Sequence, residues 1–108
     1  MIKVTIFYPV QTGQWFDKIY YLEKHLPLSK AVFGEALRGV LIEELIEADL
    51  SEGNVSYQII GHLFFDSTDD FYNKYLPAKE LLFEDGLKYT NCIPFLQLSK
   101  VLYGDYPV

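Results

Sequence analysis

The chain carries one cysteine, two histidines and no run of lysines or arginines, and each shortage narrows what it can do. Cys92 has no partner for an internal disulfide, and no cysteine pair stands at metal-ligand spacing. A reducing compartment follows, with Cys92 read as a small buried apolar residue. Nine Lys and Arg against 15 Asp and Glu give a formal charge of −6. A chain so balanced lacks the cations that neutralise nucleic-acid phosphates or an anionic membrane. No apolar run reaches the roughly 20 residues that span a bilayer. Met1 to Tyr8 also lacks the basic-then-apolar layout of a leader, so the chain is expected to be cytoplasmic. There is no phosphate-binding glycine loop, nucleophile elbow, or flavin or haem motif, and the carboxylates do not pair with histidines at ligand spacing. Neither a metal nor a bound cofactor is therefore expected.

What the chain has in plenty is apolar surface: half of its 108 residues are hydrophobic, with 9 Tyr and 8 Phe. This length predicts one domain over residues 1–108, and the apolar content exceeds what one small core absorbs. Part of it is expected to meet a partner.

The order of elements can be read from periodicity. Ile2 to Tyr8 alternates as a first strand, closed by Pro9 and Gly13. From Phe16 to Phe33 the pattern is helical, with Trp15, Ile19, Leu22 and Leu26 on one stripe and Asp17, Lys18 and Lys24 opposite. Pro27 falls inside it and predicts a kink or restart near His25 and Leu26, and Gly34 ends the second piece. Leu37 to Glu47 leans helical by period, although Val40, Ile42 and Ile46 also fit a strand. Asp49 to Asn54 is turn chemistry. Tyr57 to Phe65, apolar on both faces, predicts a central strand. Ser67 caps a second helix that carries Pro77 and ends at Gly86, and Ile93 to Tyr103 gives a last strand. The blocks Lys24-His25-Leu26-Pro27 and Lys74-Tyr75-Leu76-Pro77 form a weak internal repeat, which suggests two βαβ halves and would make the ambiguous element a strand.

His25 and His62 are the acid–base candidates. His62 shares a strand face with Gln58, Ile60 and Phe64 and should be largely enclosed. It is then either a core histidine bonded to a carbonyl or tyrosine, or part of a pocket. His25 borders the apolar stripe near Tyr21. It is either a helix-end cation favoured by the dipole, or is turned by the kink into a helix–sheet cavity shared with His62. Ligand contacts are expected from Tyr8, Tyr20, Tyr21, Gln58, Phe64 and Tyr75, with Tyr75 singled out because it replaces His25 in the repeat. Glu43, Glu44 and Glu47 read as a solvated strand edge.

Three segments carry a resemblance to a known family: Met1 to Pro9 (MIKVTIFYP), Phe16-Asp17 with Tyr20 to Leu28 (YYLEKHLPL), and Gly61 to Ser67 (GHLFFDS). Tyr89-Thr90-Asn91 before Ile93-Pro94 adds to them. The chain resembles the EthD family, within the wider group of dimeric α+β barrel proteins. The resemblance implies an α+β, ferredoxin-like βαββαβ fold with a four-stranded antiparallel sheet, and a strand at Leu37 to Glu47. It also implies a homodimer whose two sheets pack face to face into a barrel. His25 and His62 fall at the family's recurring histidine positions. The family's founding association, with oxidative ether degradation, implies an oxidoreductase link.

The expectation is a cofactor-independent enzyme of isomerase, cyclase or oxygenase type. In it His62 and His25 move protons on an aromatic or lactone-like substrate among Tyr and Phe rings. The alternative is a non-catalytic dimeric binding or accessory protein for an apolar small molecule in a degradation pathway.

Overall fold

The computed structural model describes residues 1–48 and 56–105, so the turn expected at Asp49 to Asn54 lies outside the described residues. The chain runs through β1 (Ile2–Pro9), a helical turn α1 (Lys18–Tyr20), a π-helical segment (Tyr21–His25) and α2 (Leu26–Phe33). After a 3-10 turn at Gly34–Ala36 come β2 (Gly39–Glu44), β3 (Tyr57–Phe65), α3 (Thr68–Gly86) and β4 (Phe95–Lys100). The four strands form one antiparallel sheet in the order β2-β3-β1-β4. This is the ferredoxin-like arrangement implied by the resemblance, with β1 and β3 in the centre. Among the described residues no helix is long and apolar enough to cross a membrane.

Both helical layers lie on one face of this sheet. Val4, Leu63 and Phe65 point into that layer and meet Phe33 of α2 and Phe71 of α3. Tyr8 and Ile59 meet Tyr21 and Tyr89 further along. Edge-to-face and stacked contacts join Phe33, Phe65 and Phe71 at 5.1–5.8 Å between ring centres, the separation at which aromatic pairs attract beyond simple burial.

Local sequence explains the element boundaries. Asp17 accepts the Tyr20 N–H and Ser67 the Asp70 N–H, each serving an orphan donor of a first turn. Gly34 closes α2 at φ 55, a left-handed backbone angle that costs a glycine little. Pro27 stands in the first turn of α2. There its missing N–H costs nothing, provided the turn before it is opened. The π segment does that: Leu26 N–H reaches back five residues to the Tyr21 carbonyl.

This insertion overturns the expected inward stripe of the first helix. Ile19 is 70% exposed and Leu22 and Trp15 about half exposed, while Tyr21, Ser29 and Phe33 are buried with His25 between them. The strand at Leu37 to Glu47 is present as β2, against its helical period. It lies at the sheet edge and its residues are half-buried or exposed, so it never needed strict alternation. Glu44 on this edge pairs with Lys18. Cys92 is a free, buried thiol as expected.

These placements set a contrast in stability. Phe65→Ala should cost about 3–5 kcal/mol in urea unfolding, since the ring is fully enclosed. Ile19→Ser should change stability by less than about 0.5 kcal/mol. A large loss at Ile19 would restore the stripe read from the sequence.

Candidate functional site

Between the helices and the sheet lies a cavity of about 580 Å³, within the size range of small-molecule sites. Its floor is Val4, Ile6 and Tyr8 of β1 with Leu63 of β3. Its walls are His25, Ser29 and Phe33 on one side and Phe71, Tyr75 and Gly86 on the other. Tyr89 to Pro94 closes one end. Most of this lining is apolar, and its polar side chains include His25, Ser29, Tyr75 and Tyr89.

His25 is placed there by the π segment. With the turn opened, Tyr21 and His25 stand one above the other, rings 5.8 Å apart and 18° from parallel, and Tyr89 packs on His25 at 4.7 Å. Its Nδ1 lies 2.9 Å from Asp85 Oδ2, and both side chains are nearly nine-tenths buried. The Tyr20 hydroxyl donates to Asp85 Oδ1 at 2.7 Å, and Lys88 Nζ lies 3.7 Å from the same oxygen. Because a carboxylate only accepts, Nδ1–H donates to Asp85, and whenever the ring is neutral its lone pair lies on Nε2.

Burial alone would raise the Asp85 carboxyl. The hydrogen bonds from Tyr20 and His25, helped by the charges of His25 and Lys88, outweigh it and hold the group below its ordinary value. Across the site Tyr8 and Tyr89 share a 2.5 Å hydrogen bond between their hydroxyls. Burial pushes both phenols well above their usual range, so both stay protonated at physiological pH.

The segment that supplies Tyr89 is tied down by the start of the first helix. Asp17 N–H donates to the Tyr89 carbonyl, Thr90 Oγ1 to the Trp15 carbonyl, and Trp15 N–H to Asn91 Oδ1. Gly61 opposite leaves room for Tyr21: a Cβ there would stand 3.3 Å from its hydroxyl.

The candidates named from the sequence separate. His25, Tyr8 and Tyr75 line the cavity, and His25 and Tyr75 do so from the two repeat positions. Tyr20 stands behind His25 as the second donor to Asp85. Tyr21 is buried in the aromatic cluster beneath it.

His62 and Phe64 are elsewhere. His62 is paired across the sheet with Thr5 and Leu41, on the face opposite Gly61 and Leu63, so it cannot share a cavity with His25. Its Nε2 bonds Glu43 on β2. Gln58 has left that face too. A register shift near Tyr8 and Pro9 turns it to a small cleft with Phe16, Lys18 and Ile59.

Sequence reasoning missed Asp85 altogether and left Tyr89 out of the site. A signal for Asp85 exists: an acidic residue in the last turn of a helix opposes the dipole, and α3 has no basic residue in that turn. Among the described residues no three His, Cys, Asp or Glu side chains gather as a metal site.

Scans against protein-family models and against curated proteins return no match. Solved structures do match. An EthD-like protein from Ralstonia eutropha JMP134 is 29% identical, over 94% of this chain and 92% of that one, with a TM-score of 0.85. An EthD family protein from Bacillus halodurans C-125 is 15% identical over 94% and 99%, with a TM-score of 0.69. A dimeric protein of unknown function and ferredoxin-like fold from Bacteroides fragilis NCTC 9343 is 10% identical over 93% and 95%, at 0.54. The last two carry the fold alone.

The Asp85 network has a pH signature. Its carboxyl is lowered on folding from an ordinary value of 3.8, so the stabilisation it gives is complete above that pH and is lost as pH falls through the lower folded value. Unfolding measured from pH 6 to pH 2.5 should show a steeper acid loss for wild type than for Asp85→Asn. Parallel curves would mean that the pairs do not hold the carboxylate down.

Proposed function

From the premise that this chain is EthD-like in sequence and fold, we propose that it is a cofactor-independent small-molecule enzyme. In this reading His25 is the acid–base group and the helix–sheet cavity holds an apolar ligand. The observation that carries the proposal is His25 itself, set in the wall of a largely apolar cavity with Nδ1 bonded to Asp85. A base needs a lone pair aimed at the substrate and a second group that fixes the ring, and Nε2 and Asp85 supply the two. Tyr8, Tyr75 and Tyr89 contact the ligand, while Tyr20 and Tyr21 hold the base in place.

We also propose that the chain is a homodimer formed through the open face of the sheet. Phe7, Tyr57 and Phe95 cluster there, with ring centres 4.8–5.7 Å apart, beside Ile60, Phe64 and Leu41. An apolar face of this kind, with no helix against it among the described residues, is stabilised by a second sheet. The dimeric Bacteroides fragilis protein of the same fold supports the reading. His62 then belongs to the interface, where Glu43 satisfies it.

Proton abstraction can be followed without the natural substrate, through exchange of the slow α-protons of 1-tetralone in deuterated buffer. Wild type and His62→Ala should accelerate exchange alike, and His25→Ala should lose on the order of 100-fold or more. If wild type merely binds the ketone and returns it unexchanged, the chain is a binding or accessory protein. Light scattering should give twice 12.5 kDa for wild type and a monomer for Ile60→Glu. A monomeric wild type at all concentrations removes the sheet-face dimer.

A further inference from the structure

Counting hydrogen-bond capacity around the cavity says more about the ligand than its shape does. The Tyr8 and Tyr89 hydroxyls own two protons and share one bond, so one O–H is left to donate elsewhere. On His25, Asp85 uses Nδ1, and among the described residues Nε2 has no hydrogen-bond partner. The cavity lining therefore offers neutral donors, a spare tyrosine O–H among them beside the Ser29 and Tyr75 hydroxyls, and an open acceptor at Nε2. That tyrosine pair and the imidazole are held together by the packing of Tyr89 on His25.

Charge on the wall is scarcer still. The charged side chains of the lining, Lys79 and Glu80, are neighbours on α3, both exposed, and offset one another. Behind His25 stands the Asp85 carboxylate. An anion seated beside a neutral His25, the form a base requires, would lose its hydration, find only the exposed Lys79 as a fixed cation among the lining residues, and face that carboxylate.

Resting on the reading of His25 as the acid–base group, we propose that the cavity takes an uncharged, largely apolar carbonyl compound and excludes carboxylates. The Tyr8–Tyr89 pair is the donor that recognises the carbonyl oxygen.

The same pairing of groups defines a balanced reaction. With the carbonyl oxygen on the tyrosine proton, His25 Nε2 takes a proton from the carbon beside the carbonyl. The C–H electron pair becomes the C=C bond of an enolate, whose oxygen the tyrosine O–H stabilises. Return of the proton to that oxygen or to another carbon completes a tautomerisation that uses no oxidant or reductant.

Equilibrium binding tests the ligand class apart from catalysis, with three probes of one ring system: 1-tetralone, the hydrocarbon tetralin, and 1,2,3,4-tetrahydro-1-naphthoate. At pH 7.5 wild type should bind the ketone at least tenfold more tightly than the carboxylate, a comparison that needs no variant. In the double variant Tyr8→Phe/Tyr89→Phe, checked for native circular dichroism, the ketone-to-hydrocarbon affinity ratio should fall at least fivefold, since either hydroxyl alone would still have a proton to donate. Carboxylate binding equal to or tighter than ketone binding overturns the proposal. So does an unchanged ratio in the folded double variant, or no ketone binding at millimolar concentration. A ketone preference without α-proton exchange would leave the ligand class standing and remove the acid–base reading of His25.

Discussion

Neighbouring residues on a strand must point to opposite sides of a sheet, and here both helical layers lie on one side. That alternation divides the molecule into two chemistries. Val4, Tyr8, Leu63 and Phe65 build a core and a cavity wall against the helices, while Thr5, Phe7, Ile60, His62 and Phe64 share the other face. One residue of difference between Gly61 and His62 decides which side carries each. The two histidines are therefore not alternatives for one task, since the sheet itself stands between them.

On the helical side, a single carboxylate organises the polar chemistry. Asp85 comes from α3, yet both of its strong partners, Tyr20 and His25, come from the first helical stretch. The contact ties the two helical layers together near the end of the cavity and orients the imidazole within it. A surface ion pair would contribute little. This one is nearly nine-tenths buried on both sides, and removing either partner leaves a polar group without its bond. The same carboxylate thus serves stability and site geometry, and evolution cannot tune one without touching the other.

Much of the frame was legible in the sequence because the signals were local. Alternation marked β1, an apolar run on both faces marked β3, Ser67 and Gly34 marked helix ends, and Pro27 marked the break before α2. What failed was everything that depended on phase. The inward stripe was assigned at regular helical spacing, but the π segment shifts that spacing. The residues that turn inward, Tyr21, His25 and Ser29, also carry polar atoms that a hydropathy pattern discounts. Gln58 was placed by parity along β3, and the register shift near Pro9 broke the parity. Asp85 sits in a helix dense with charge, and its conflict with the helix dipole is shared by Glu84 next to it. β2 came from the internal repeat and the family resemblance, because an edge strand with little burial leaves no clear period.

The widened turn at Tyr21–His25 can be viewed as a helix holding one surplus residue. Each residue of a regular helix turns the chain by about 100°, so everything after the surplus is rotated relative to everything before it. Taking one residue out of that stretch would return the backbone to ordinary hydrogen bonding and swing either the Asp17 anchor or the His25 ring out of place. A single-codon deletion could heal the helix and silence the site in one step. The imperfection is in that sense the most length-sensitive part of the chain.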